Sequence, residues 1–156
     1  MRVCIEKMES KHIDEVVEIE KVSFSSPWTR AMFTQETDLE YSNCFVIIVD
    51  EELTAYISSW TVLDECTINK IACRSDLRRR GYSTMLLNHL IQKVCGNSVK
   101  DILIEVRESN SMARAFYKKS SFIKKGLRKG YYSDTKEDAI LMSLDVEKFL
   151  DVRDDR

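Results

Sequence analysis

Residues 75–87, SDLRRRGYSTMLL, place three consecutive arginines, Arg78, Arg79 and Arg80, directly before Gly81 and an apolar helical pattern. These residue types, in this order, suit an anion. The first turn of a helix carries unpaired N–H groups and the positive end of the helix dipole. A glycine lets a bulky group approach the backbone, and arginines add charge-assisted, often bidentate contacts. Three readings stay open: a cradle for a phosphorylated cofactor, a solvated basic loop, or a contact to nucleic acid. Neither G-x-x-x-x-G-K-[ST] nor G-x-G-x-x-G occurs, so the common nucleotide loops do not explain the pattern.

A second pair could move protons. Glu105 stands at the end of an apolar run, and Tyr117 follows twelve positions later on a helical stretch. A carboxylate can take a proton from an ammonium, directly or through water, and a phenol can give one to a leaving group. Both residues also have structural explanations, because strand-end glutamates are usually solvated and helical tyrosines usually pack with the hydroxyl at the rim. The five cysteines (Cys4, Cys44, Cys66, Cys73, Cys95) are odd in number and contain no C-x-x-C pair. With only His12 and His89 beside them, they read as reduced thiols acting as small hydrophobes, and no metal is expected.

The elements that must position these groups follow from periodicity. Residues 10–24 read as a helix capped by Ser10, with Asp14 and Glu15 in its first turn. Ile13, Val16 and Val17 form its apolar side, with Glu20 at the change of face. A second helix starts with Ser26 as cap and Pro27 at the first helical position. Residues 44–62 give two β-rich runs joined by an acidic turn around Asp50 to Glu52, and 66–73 (CTINKIAC) a strand with a local irregularity. The helix over 82–95 buries Leu86, Leu87, Leu90, Ile91 and Val94 and ends with Gly96 at C′. DILIEV fits an interior strand, NSMARAFYKKS a helix capped by Asn110, and FIKKGLRKGYYS and EDAILMSLDV two closing strands. The expected architecture is α/β (α+β): a mixed sheet with helices on its faces, one domain over 1–150 and a frayed tail over 151–156.

Totals narrow the partners. The 156 residues carry 24 Lys+Arg against 26 Asp+Glu, which argues against broad binding to nucleic acid or anionic membrane. No apolar stretch approaches the ~18–20 residues of a membrane helix, and the first residues lack a signal-peptide core, so a cytoplasmic protein is expected.

The pattern Arg78–Gly81–Ser83 between a strand and a helix resembles the acetyl-CoA signature of the GNAT N-acetyltransferase superfamily. The stretches FSSPW, LDECTINKIA, RRRGYS, IEVRESNSMARAFYKKSSF, GYY and EDAILM, spread over about residues 23–142, are similar to its RimI-type branch, which acetylates the N-terminal alanine of a ribosomal protein. The resemblance implies a GNAT fold, with a mostly antiparallel twisted sheet and a central parallel strand pair. It implies acetyl-CoA as donor, with coenzyme A as product and no acyl-enzyme. Glu105 would be general base and Tyr117 general acid. Ile71, Ala72 and Cys73 would pair with the pantetheine arm, Arg78, Arg79, Arg80, Gly81, Tyr82, Ser83 and Thr84 would hold the pyrophosphate, and Asn110 would touch the cofactor. Pro27, Trp28, Tyr131 and Tyr132 would wall a peptide cleft for the N-terminus of an acceptor protein. Three positions depart from the family pattern: Ser83 for Gly or Ala, Ser121 for the glycine of a helix exit, and Arg74–Ser75 for an acidic or proline-containing turn.

An α-amine has a pKa of about 7.7–8.0 and a lysine about 10.4, so a single carboxylate suits an N-terminal amine better. The rival readings are a GNAT enzyme acting on a small amine, a non-catalytic acetyl-CoA-binding module and an RNA-binding module.

Overall fold

Seven strands make one sheet in the computed structural model, which describes residues 1–154. They are β1 (Val3–Lys7), β2 (Ser42–Val49), β3 (Glu52–Val62), β4 (Glu65–Cys73), β5 (Asp101–Arg107), β6 (Ile123–Arg128) and β7 (Ala139–Asp145). Their spatial order is β1-β2-β3-β4-β5-β7-β6, and every pair is antiparallel except the central β4–β5 pair. The acidic turn between β2 and β3 holds both Asp50 (φ 50°) and Glu51 (φ 71°) in the left-handed region, as a two-residue hairpin requires.

Helices cover both faces. On one, α1 (Ile13–Ser23) and α2 (Arg30–Asp38) pack Ile13, Val16, Ile19 and Phe33 against Val46, Leu53 and Tyr56. On the other, α3 (Tyr82–Cys95) lays Leu86, Leu87, Leu90, Ile91 and Val94 on Ile47, Ile57, Ile68 and Ile102. Residues of α4 (Ser111–Lys119) and α5 (Val146–Asp154) join that second core. The predicted apolar stripe of α3 is therefore its buried face. The mixed sheet, its parallel centre and its two helical layers match the expected fold.

Several boundaries differ from the sequence reading. Ser10 does not cap α1. It opens a short 3-10 turn over Ser10–His12, where the Glu9 amide donates to His12 Nδ1 at 3.0 Å. Thr29, not Ser26, caps α2, its hydroxyl accepting from the Met32 amide at 3.3 Å, so Pro27 lies outside the helix. Gly96 has φ −75°, so α3 ends without a left-handed glycine. Two elements lie outside the predicted set: β1, which adds an edge strand, and α5, which runs to Asp154 where the sequence predicts a frayed tail from 151. Residues 155 and 156 of that tail lie outside the described residues.

The irregularity foreseen in 66–73 positions everything that follows. The β3–β4 register slips between Ser58 and Ser59, which leaves Asn69 as an extra residue between Ile68 and Lys70. Pairing of β4 with β5 stops at Ile68↔Ile104. Beyond it, β4 follows β3 to Cys73 while β5 follows β7 to Arg107. The two central strands splay, and the β5-facing edge of residues 69–73 has no strand partner.

Candidate active site

A cavity of about 580 Å³ opens along that free edge. Ile71, Ala72 and Cys73 form one side, Arg78, Arg79, Gly81, Tyr82, Ser83 and Thr84 one end, and Asn110 and Tyr117 the α4 side. Eleven of the predicted site residues thus meet in one space. Arg80 does not line it; it is exposed beside it.

The loop before α3 has the geometry that an anion requires. Arg79 (φ 64°) and Gly81 (φ 88°) are both left-handed, and a Cβ built on Gly81 would meet no atom within 4 Å. No side chain caps α3, and the first intrahelical bond runs from the Met85 amide to the Gly81 carbonyl at 3.0 Å. The amides of Tyr82, Ser83 and Thr84 therefore lack intrahelical acceptors and face the helix entrance. Arg74 is tied to Glu52 and Asp76, both at 2.9 Å, whereas Arg78, Arg79 and Arg80 have no acidic partner among the described residues. Burial pushes the Cys73 thiol up, so this side chain is a neutral wall of the cavity.

Tyr117 is held from both ends of α4. At the start, Asn110 Oδ1 accepts from the Ala113 amide at 3.1 Å, as predicted. At the end, the Ser121 amide donates to the Lys118 carbonyl and the Phe122 amide to the Tyr117 carbonyl, a Schellman closure with Ser121 left-handed at φ 76°. The rings of Phe116 and Phe122 stand 5.1 and 5.2 Å from that of Tyr117, which is 2% exposed. Burial alone raises its phenol well above the ordinary range, and among the described residues none accepts from its hydroxyl.

Glu105 is placed differently. Along β5, Ile102, Ile104 and Val106 point into the core that contains Tyr117, so Glu105 points to the opposite face. It is 24% exposed, and its Oε1 lies 3.3 Å from Arg128 Nε. A hydrogen bond to Glu105 also raises the Tyr131 phenol. Tyr131 and Tyr132 pack edge to face at 5.1 Å, and the guanidinium of Arg107 lies 4.0 Å from the centre of the Tyr132 ring. The two proton-transfer candidates thus stand on opposite faces of the sheet, at the strand that borders the splay, and not in one cavity.

The predicted pair on the α1 side does not line the cavity. Pro27 and Trp28 belong to an irregular segment between α1 and α2. Glu20, fully buried, accepts from the Trp28 amide at 2.8 Å, from Lys70 Nζ at 3.0 Å and from the Tyr56 hydroxyl. Phe24, Leu77, Met112, Ala113, Ala115, Phe116 and Lys119 also line the cavity, beyond the residues the sequence predicts. Helical spacing of 112, 113 and 116 was the available signal, but an apolar stripe indicates burial without saying what it faces.

Among the described residues no group of three His, Cys, Asp or Glu could hold a metal, and no helix is long and apolar enough to cross a membrane. All five cysteines are free, and Cys44, Cys66 and Cys73 are buried.

A splayed parallel pair, a glycine-bearing loop at a helix entrance and this strand order define an acetyltransferase of the GNAT type. Residues 13–122 match the model of the acetyltransferase (GNAT) family, and the chain belongs to that family. It is 32% identical over 144 residues to the ribosomal protein bS18-alanine N-acetyltransferase of Escherichia coli K12, covering 91% of this chain and 97% of that protein. The Salmonella typhimurium enzyme of the same name is 34% identical over 131 residues, 83% of this chain and 88% of that one. The crystal structure of the E. coli ribosomal-protein-S18-alanine N-acetyltransferase superposes with a TM-score of 0.85 at 31% identity, covering 93% and 94% of the two chains. The chain is therefore an N-acetyltransferase similar to the RimI-type enzymes.

Proposed function

We propose that the chain transfers the acetyl group of acetyl-CoA to the N-terminal α-amine of a protein, with a ribosomal protein as acceptor and the cytoplasm as site of action. The observation that carries this reading is the splay itself. A cavity ends at the Tyr117 side of the gap, and Glu105 stands on the other face with Tyr131 beside it. Donor and acceptor can then approach from opposite faces and meet between β4 and β5.

The residues fit the donor. The unpaired edge at Ile71–Cys73 offers amides and carbonyls to a pantetheine arm. The open amides of α3 and the arginines suit a pyrophosphate, and a solved coenzyme A complex exists for a protein of the same fold (TM-score 0.78). Acetyl-CoA would supply the thioester; the chain supplies the proton traffic. Glu105 takes the proton that the attacking amine loses, directly or through a water, and the Tyr117 hydroxyl gives one to the departing sulfur. One C–N bond forms, one C–S bond breaks, and no acyl-enzyme is needed.

The acceptor face favours a peptide over a polyamine. Several of its carboxylates are paired: Glu20 with Lys70, Glu105 with Arg128, and Asp134 and Glu137 with the single Arg107 they share. A polycation therefore finds few unpaired acids among these residues. The names of the bacterial relatives add the ribosomal acceptor class.

The test is thiol release from acetyl-CoA against Ala-, Ser- and Met-starting peptides, lysine peptides and polyamines. N-terminal peptides should be preferred. Glu105→Gln should slow transfer by about 10²–10⁴-fold while the acetyl-CoA dissociation constant stays within about twofold. Unchanged turnover would remove Glu105 as base. Cofactor binding with no transfer to any acceptor would leave only a binding module.

A further inference from the structure

Lys70 is the one lysine whose ammonium is both largely buried and ion-paired among the described residues. Its side chain is 15% exposed, and Nζ lies 3.0 Å from a Glu20 carboxylate that is itself fully buried. Such pairs seldom add much stability, because desolvating two charges offsets most of their attraction. The position of this one shows what else it does.

Lys70 follows the Asn69 bulge, so it turns towards α1 while the next residue, Ile71, lines the donor cavity. Its ammonium sits 3.9 Å from the centre of the Phe24 ring and 5.4 Å from that of Trp28. Phe24 also lines the donor cavity. The same Glu20 Oε2 that holds Lys70 accepts from the Trp28 main chain at 2.8 Å. One ion pair therefore grips the irregular segment at its first aromatic residue and again at its last. The residues between them, Ser25 to Pro27, are without regular structure.

We propose that Lys70, seated on Glu20, is a positioning residue of the acceptor site. It fixes Phe24 and Trp28 against the bulged end of β4, so that the wall facing the acceptor keeps a set distance from the donor cavity. It touches neither reacting group and transfers no proton. The proposal rests on the reading of Trp28 as an acceptor wall, and its test is chosen to stand apart from that reading.

Lys70→Met should raise the acceptor-peptide KM about tenfold, the loss expected of a cation held on two rings out of bulk water. In the same variant kcat should stay within about threefold, and any change in the acetyl-CoA dissociation constant, transmitted through Phe24, should be smaller than the change in KM. Lys70→Arg, which keeps the cation and its ring contacts, should restore most of the KM. Protein labelled with 5-fluorotryptophan supplies a readout independent of turnover. The chain has two tryptophans, and Trp60, whose indole donates to Glu36 at 2.7 Å, is the internal control. The ¹⁹F resonance of Trp28 should move or broaden in Lys70→Met, and that of Trp60 should not.

A Glu20→Gln/Lys70→Met double variant removes both buried charges and keeps folding in check. If it restores KM and the Trp28 signal, charge balance rather than positioning is the role, and the proposal falls. It also falls if Lys70→Met leaves KM and the Trp28 resonance unchanged, or if kcat, both affinities and the Trp60 signal all shift together. Should the wild type acetylate no peptide, the acceptor reading fails, while the Trp28 resonance still decides whether Lys70 positions that wall.

Discussion

Tyr117 shows how an environment fixes the protonation state of a side chain. Apolar rings on two sides and the body of α4 exclude water, and this burial holds the phenol above its ordinary value. A raised pKa extends the protonated, donating form to higher pH. An acid in this position is therefore present throughout the neutral range and beyond. With acceptor and donor saturating, kcat should show no alkaline fall from Tyr117 up to about pH 9, since even a free phenol titrates near 10. Tyr117→Phe should lower kcat by about 10–100-fold across that range. A wild-type fall centred near pH 8, absent from the residual activity of Tyr117→Phe, would show that the phenol is not raised, and an unchanged kcat in Tyr117→Phe would remove it as the acid. Glu105 is set by its contacts: Arg128 and Tyr131 reach it from the β6–β7 side and orient a carboxylate that stays partly exposed.

At the scale of elements, Ser121 is a departure whose consequence can be measured. The exit of α4 keeps the left-handed geometry that a glycine would adopt freely, and a serine occupies it at φ 76°. Both Schellman bonds and the Phe122–Tyr117 contact are made, so strain is the only cost. Ser121→Gly should stabilise the chain by about 1 kcal/mol. That corresponds to a melting-temperature rise of roughly 2–4 °C, readable by calorimetry, with kcat unchanged. An unchanged or lower melting temperature would show that the strain is relieved locally. The same loop explains what a sequence can and cannot disclose. Asn110, the α3 stripe and the bulged strand were legible because caps and periodicity are local. Thr29 displaced Ser26 as cap because the Trp28 amide is drawn to Glu20, a contact eight residues back in the chain. Glu20 itself looked like a surface residue at a change of face; its three donors come from α1's neighbour segment, β3 and β4, and only the fold assembles them. The α3 loop residues were found together for the opposite reason, since they are consecutive and their chemistry needs only one helix entrance.

For the whole molecule, the splay divides labour between the faces of the sheet. The α3–α4 side carries positive charge without acidic partners and an open helix entrance; the α1 side carries aromatic walls and carboxylates already paired with cations. A ligand with a pyrophosphate and an extended amide arm matches the first side and would tie α3, α4 and the β4 edge together. Binding only to the folded state must then raise stability by RT ln(1 + [L]/Kd), about 2.7 kcal/mol at a hundredfold excess over Kd. For a chain of this size that is a rise of roughly 5–10 °C in melting temperature. Acetyl-CoA should produce it, and the shift should shrink with added salt as the arginine contacts are screened. Replacing Arg78, Arg79 and Arg80 together by alanine should remove most of the shift while changing the unliganded melting temperature far less, because none of the three holds an ion pair within the described chain and Arg78 makes only long hydrogen bonds, to the Cys73 carbonyl at 3.4 Å and the Ser23 hydroxyl at 3.5 Å. A full shift in that variant would assign the phosphate contacts to the α3 amides alone. No shift in the wild type, with tight salt-dependent RNA binding instead, would return the arginine cluster to nucleic acid.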